Sequence, residues 1–174
     1  VQALARAKAL DVMASTDPQE AEVVVGCDSM LEISGQVVGK PIDAADARER
    51  WRMMSGSTGT LHTGHFLMRT ADGAIAEGVS SATIRFGSPS PAEIEAYIAT
   101  GEPLWCAGAF TIDGLGGAFI EGIDGDPHGV VGISLPLLSR LLAALAVVMG
   151  SGLAVVWTVL WAPPPMTNPA DDAH

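Results

Sequence analysis

The stretch Val23-Val24-Val25-Gly26-Cys27-Asp28-Ser29-Met30 decides how the chain is read. Its β-branched run is too short for a stable helix and is bounded by polar residues and glycine, so Glu22 to Gly26 reads as a buried strand. The run then presents a carboxylate. An aspartate that ends a strand commonly opens a turn or caps a helix. It also stands at the rim of a sheet, where α/β folds form ligand clefts, and there it can hold a metal ion or take a proton from water.

Outward from this strand, local signals punctuate the chain. Ala3 to about Ser15 is rich in Ala and Leu and reads as a helix that stops near Thr16-Asp17-Pro18. Leu31-Glu32-Ile33 and Gln36-Val37-Val38 flank Ser34-Gly35, a two-residue hairpin signal. Asp43 caps a predicted helix from Ala44 to Met54, with Ala47, Trp51 and Met54 on one face and Arg48, Glu49 and Arg52 towards water. Leu61 to Arg69 and Ile75 to Phe86 bracket Asp72-Gly73, a second hairpin. Ser90-Pro91-Ala92-Glu93 is a capping box that opens a helix over Ala92 to Thr100, and Gly101 stops it. The glycine-rich region from Ala107 to Gly132 holds strand candidates at Ala109 to Ile112 and Ala118 to Ile123. Leu135 to Val148 reads as a helix capped by Ser134, and Leu153 to Leu160 as a strand. Strands and helices alternate without a strict βαβ repeat, which predicts an α/β fold with a mixed sheet flanked by helices. Residues 1–162 read as one domain and 163–174 as a disordered, proline-bearing tail.

Composition narrows the function classes. The 174 residues carry a formal charge of −11, from 20 acidic against 9 basic side chains. A broad nucleic-acid footprint needs clustered Lys and Arg, so nucleic acid is not an expected partner. An anionic small substrate stays admissible where a divalent cation and a few basic groups neutralise it. Cys27 and Cys106 fit neither a zinc pattern nor a disulfide framework, and read as reduced thiols in a cytoplasmic protein. The uncharged stretch 141–161 is long enough to span a bilayer, but Gly150-Ser151-Gly152 divides it into pieces of core-element size, so no membrane is expected. The chain opens on Val1 already in a helical pattern, which reads as an N-terminally clipped chain.

Lys8 and Lys40 are the only lysines. Lys40 in Gly39-Lys40-Pro41 has a backbone fixed by the following proline and reads either as a phosphate contact or as a solvated loop lysine. Lys8, on a mostly apolar helix, would ordinarily reach to water. His62 and His65 lie three apart in a predicted strand and so point to opposite faces, which makes them poor joint metal ligands. His128, in Gly125-Asp126-Pro127-His128-Gly129, reads as a surface histidine in a turn. The chain has no Walker loop, nucleophile elbow or paired zinc motif.

The blocks Ala7-Lys8-Ala9, Val25-Gly26-Cys27-Asp28-Ser29, Val38-Gly39-Lys40-Pro41, Ser55-Gly56 and His62-Thr63-Gly64 resemble the Maf family of nucleoside triphosphate pyrophosphatases. The resemblance continues through Gly101-Glu102-Pro103, Ala107-Gly108-Ala109-Phe110-Thr111-Ile112-Asp113-Gly114 and Asp124-Gly125-Asp126-Pro127 to Val131-Gly132-Ile133-Ser134-Leu135-Pro136. It implies a Maf/ITPase-like fold and hydrolysis of a nucleoside triphosphate to the monophosphate and pyrophosphate, clearing non-standard nucleotides. The implied cofactor is a divalent metal cation, Mg²⁺ or Mn²⁺. Asp28 would be the catalytic carboxylate and metal ligand, while Lys8, Lys40, Ser29 and Asp113 would bind substrate. A homodimer is a further implied partner arrangement.

The departures are specific. The family's Ser-x-Ser-x-Arg-Arg phosphate loop and a downstream acidic residue would precede Val1. Ser29 replaces Thr, Phe110 and Asp113 replace Tyr and Gln as in actinobacterial members, and Gly129 replaces Asn. Asp113 removes a donor at a position the resemblance associates with base recognition, so a preference for dTTP or UTP does not follow. A non-catalytic nucleotide-binding regulator of septum formation, or an inactive fragment, is the alternative reading.

Overall fold

The computed structural model describes residues 1–15, 17 and 21–147, together with the backbone of 155–158. In chain order the elements are α1 (Gln2–Met13), β1 (Val23–Ile33), β2 (Gln36–Val38), α2 (Ala44–Met54), β3 (Thr58–Arg69) and β4 (Ile75–Phe86). They continue with α3 (Pro91–Ala99), β5 (Ile120–Asp124), α4 (Pro127–Val131), α5 (Leu135–Ala144) and β6 (Val155–Thr158). The sheet runs β2-β1-β3-β4-β5 with antiparallel neighbours, and β6 adds to β1 in parallel, so the sheet is mixed as expected.

Local chemistry explains the elements that the sequence signals well. Asp43 accepts from Asp46 N at 2.9 Å to cap α2, and Ser90 and Glu93 form the reciprocal capping box of α3. Ser34 and Gly35 both have positive φ, the backbone of a type I′ hairpin turn between β1 and β2. Trp51 of α2 is fully buried, donates to Ala109 O at 2.9 Å, and makes edge-on contacts with Phe86, Tyr97 and Phe119.

Alternation along β1 divides the packing between the two sides of the sheet. Val24 faces Ala5 and Ala9 of α1. Val23, Val25 and Cys27 face α5 through Leu138, Leu141 and Leu142, while Leu31 and Ile33 join Trp51, Ile94 and Tyr97 of α2 and α3. The odd-numbered side of β1 is thus covered at both ends by different helices, and α1 covers the other side.

Four expectations change. β1 is one strand of 11 residues rather than two, so Asp28 lies mid-strand and not at a strand end. Its ladder to β3 runs without a break from Val23↔Arg69 to Glu32↔Thr60, and that non-local pairing overrides the low strand preference of Asp and Ser. Ala109 to Ile112 is not a strand: Gly108 and Ala109 have φ of 72° and 61° and turn the chain. Leu115–Phe119 is a 3₁₀ turn, so β5 begins only at Ile120. The helix predicted to Val148 ends at Ala144, where Ala146 takes a positive φ and the Arg69 guanidinium donates to the end carbonyl of Leu145.

Among the described residues no helix is long and apolar enough to cross a membrane. Of the predicted Leu153 to Leu160 strand, Val155–Thr158 is present as β6. The remainder of that segment and the predicted tail lie outside the described residues.

Candidate active site

β6 covers the outer edge of β1 from Val23 to Gly26, and β2 covers it from Leu31 to Ile33. Between them Cys27 to Met30 have no ladder partner on that edge among the described residues. A cleft of about 690 Å³ opens there, walled by this bare segment, Lys8, the Gly39-Lys40 loop, Trp105 to Ala107, Phe110 to Asp113, and Val130 to Ile133. Because successive side chains of a strand point to opposite faces, only an uncovered edge lets Asp28 and Ser29 share one cavity. Lys8, Asp28, Ser29, Lys40 and Asp113 all line it, so residues up to 105 positions apart in sequence meet at one place.

Gly26 places the first pair. A Cβ there would stand 2.2 Å from Ala5 O and 2.8 Å from Ala9 N, so α1 rests directly on the β1 backbone. Gly64, opposite Asp28 in the ladder, provides a second close seat, since a Cβ would stand 2.9 Å from Gln2 N. This approach carries Lys8 to the strand instead of to water. Its ammonium donates to Asp28 Oδ1 at 2.6 Å and to Cys27 O at 3.3 Å. The Asp28 side chain is 13% exposed, and its Oδ2 is buried with no hydrogen-bond partner among the described residues. One carboxylate oxygen is therefore fixed by a charge-assisted bond and the other retains acceptor capacity.

Ser29 lies on the opposite side of β1 and forms a relay. Thr63 donates to Gly129 O at 2.7 Å, so Ser29 must donate its proton to Thr63 Oγ1, also at 2.7 Å. Towards the cleft Ser29 then offers lone pairs, which suit a water or a cation better than a phosphate oxygen. His65, fully buried, extends the polar line: its Nε2 accepts from Ser134 N at 2.8 Å, so the proton sits on Nδ1 and is donated to Thr63 O at 3.0 Å. Burial lowers its pKa, opposed by the bond to Thr63 and the charge of Asp126. His62 points the other way, to Ser81 and Glu32, as the spacing predicts.

Lys40 is exposed on a tethered loop. Arg50 of α2 donates to Gly39 O and pairs with Asp46 at 2.7 Å, while Gly108 N donates to the same carbonyl at 2.9 Å. Asp46 in turn accepts from Ile42 N at 2.9 Å, so both flanks of Lys40 are tied to α2. The Arg50 bonds hold the Asp46 carboxyl below its ordinary value.

A family model described as Maf-like protein matches residues 1–145. This chain belongs to the Maf family. It is similar to proteins named nucleoside triphosphate pyrophosphatase in Salinispora tropica (56% identical over 144 residues) and Streptomyces coelicolor (51% over 161 residues). A relative of the same name in Rhodococcus jostii is 51% identical over 159 residues. These matches cover 82%, 92% and 88% of this chain, and 64%, 74% and 72% of the respective relatives. The Maf chain therefore spans less than two thirds of the first relative's length.

The far wall of this Maf cleft is organised by Glu102, whose role the sequence does not signal. Its carboxylate accepts from Tyr97 OH at 2.8 Å and from Leu115 N and Gly116 N, each at 2.9 Å. A Cβ on Gly114 would meet Glu102 Oε2 at 2.5 Å and one on Gly116 would meet Tyr97 OH at 2.4 Å, so glycine is what allows the loop to lie on this carboxylate. Asp113, immediately before, accepts from the Thr111 hydroxyl. Burial pushes the Cys27 thiol up to about 12 and the Cys106 thiol to about 11, so neither is a nucleophile at neutral pH. His128 lies in α4 rather than in a turn, is exposed, and bonds Asp126 at 2.9 Å. It is not among the cleft residues.

Among the described residues no group of three or more His, Cys, Asp or Glu side chains is placed to hold a metal ion. Two carboxylate oxygens among the described residues are buried without a hydrogen-bond partner, Asp28 Oδ2 and Asp126 Oδ2, and of these residues Asp28 lines the cleft. Its Oδ2 fits a cation such as Mg²⁺, which keeps several waters and takes one or two carboxylates plus substrate phosphates.

Proposed function

We propose that this chain acts in the hydrolysis of a nucleoside triphosphate between its α- and β-phosphates, clearing non-standard nucleotides in the cytoplasm. The Lys8–Asp28 pair carries the reading: a carboxylate with one oxygen fixed at 2.6 Å by an ammonium and the other oxygen unpartnered, in a cleft shared with Lys40. The names of the relatives support the same reaction.

In this reading a water oxygen attacks the α-phosphorus, the bond from that phosphorus to the bridging oxygen breaks, and pyrophosphate leaves with the bridging oxygen. Asp28 Oδ2 orients the water and receives its proton. Lys40 and Lys8 face the polyphosphate and offset the negative charge that builds on the leaving group. Lys8 also keeps Asp28 from turning away from the cleft. A divalent cation held by Asp28 and the substrate phosphates would supply charge neutralisation when bound.

The test is product analysis in heavy-oxygen water with Mg²⁺ and a panel of nucleoside triphosphates. The parent chain is expected to give labelled monophosphate and unlabelled pyrophosphate, and Asp28→Asn is expected to fall by about 10²- to 10⁴-fold, the usual contribution of general acid–base catalysis. Equal turnover by Asp28→Asn, or release of orthophosphate in place of pyrophosphate, would overturn it.

A further inference from the structure

Thr63, from the block His62-Thr63-Gly64, is buried between the Ser29 hydroxyl, which lines the cleft, and a backbone carbonyl of α4. A carbonyl oxygen only accepts, so the single hydroxyl proton of Thr63 is committed to Gly129 O at 2.7 Å. The contact between Ser29 and Thr63, also 2.7 Å, then has Ser29 as its donor. The reverse polarity would strip a buried carbonyl of that proton, which is costly. The fold holds this commitment in place. Gly129 lies so close to β4 that a Cβ there would stand 2.7 Å from Ser80 Oγ, which seats its carbonyl against the sheet. At the other end of the same segment Ser134 N donates to His65 Nε2 at 2.8 Å, and His65 Nδ1 donates to Thr63 O at 3.0 Å. Two side chains of β3 thus clamp residues 129–134, and Val130 to Ile133 within that segment wall the cleft.

We infer that Thr63 is a positioning residue that fixes the polarity of Ser29, so that this hydroxyl meets the cleft as an acceptor and does not hold phosphate. The inference rests on the hydrolysis proposed above for its ligand, pyrophosphate, and it divides the labour within the cleft. Ionised phosphate oxygens accept, and the ammonium groups of Lys8 and Lys40 are donors for them. Ser29, its proton turned away, suits a water or a hydrated cation. Pyrophosphate therefore has one contact fewer to hold it once the bond to the α-phosphorus is cut. Thr63 favours release of this product without touching it.

The experiment measures binding of inorganic pyrophosphate by calorimetry in EDTA, so that neither turnover nor a metal ion enters. Parent chain, Ser29→Ala, Thr63→Ser, Thr63→Val and the double variant Ser29→Ala with Thr63→Val are compared, with Tm recorded for each. Valine removes the acceptor for the Ser29 proton, which is then free to turn into the cleft. Thr63→Val is expected to bind pyrophosphate about tenfold more tightly, the low end of what a hydrogen bond to a charged group contributes. Its Tm is expected to fall, because Gly129 O loses its donor. Damage to the structure alone would weaken binding, not tighten it. The gain is expected to vanish in the double variant, and Thr63→Ser, which keeps the hydroxyl, to match the parent. Ser29→Ala is expected to leave the affinity within about threefold of the parent, since no donor to phosphate is lost.

A loss of about tenfold or more in Ser29→Ala would show that Ser29 donates to phosphate, and overturns the inference with Thr63 untouched. Unchanged or weaker binding by a folded Thr63→Val overturns it as well, and so does an equal gain in the double variant. If the parent hydrolyses no nucleoside triphosphate, the hydrolysis reading falls by itself and these affinities still decide the polarity of Ser29.

Discussion

Gly26→Ala tests how the site is assembled. The added methyl would stand 2.2 Å from Ala5 O and 2.8 Å from Ala9 N, both backbone atoms of α1 that no rotamer change can move. Restoring ordinary contact requires α1 to retreat by about 1 Å, an overpacking strain of about 1–3 kcal/mol. The Lys8–Asp28 bond, 2.6 Å in the parent, would then open to about 3.6 Å, outside hydrogen-bond range. Misplacement of about 1 Å costs up to about 10²-fold in rate. Thermal unfolding and steady-state pyrophosphate release should therefore both respond, with Tm lower by about 2–12 °C and kcat/KM lower by about 10- to 100-fold. Gly78→Ala is the control, because its methyl would meet only the flexible tip of Leu137 at 3.1 Å. If Gly26→Ala behaves like Gly78→Ala in both assays, the close seating of α1 is not what sets the ion pair.

Two further outcomes can be measured. Arg50→Met removes the tether on Gly39 O, and is expected to raise KM for a nucleoside triphosphate about tenfold with kcat changed less than threefold, since a lost hydrogen bond to a charged group is worth about 1.5–3 kcal/mol. An unchanged KM would show that Lys40 does not depend on that clamp. His65 has a lowered folded pKa against about 6.5 in the unfolded chain, so between those two values the unfolded state binds more protons and stability rises with pH. Its contribution is complete above about pH 6.5 and lost as pH falls below that value, and urea titrations from about pH 5.5 to 7.5 should show this slope in the parent and not in His65→Gln.

The parts of the fold that were readable from sequence are those whose causes lie within a few residues. The Asp43 cap, the Ser90–Glu93 box and the Ser34-Gly35 and Asp72-Gly73 turns each complete their hydrogen bonding locally, and α2, α3 and both hairpins follow. The continuity of β1 was not readable, because it comes from pairing with β3, which lies 28 to 46 residues further along the chain. The strand expected at Ala109 to Ile112 failed for a related reason: that loop takes its shape from Glu102 and from backbone bonds to Gly39, not from its own β-formers. In the site, Lys8, Asp28 and Lys40 could be singled out by residue type and block order. The contact between Lys8 and Asp28 could not, since it depends on a glycine whose missing side chain is the cause. Glu102 stood in a resemblance block with no role attached to it, and Arg50 and Trp105 carried no motif signal of their own.

The bare segment of β1 also bears on strand pairing between molecules. A strand edge with unsatisfied backbone groups is a template for another chain, and proteins commonly protect it with charges or short length. Here the uncovered run from Cys27 to Met30 is four residues, shorter than the six or seven typical of segments that zip into intermolecular sheets. It carries Asp28 at its centre and lies beneath the Lys8 ammonium. Among the described residues β6 and β2 flank this opening, so an incoming strand would find no more than four residues to pair with.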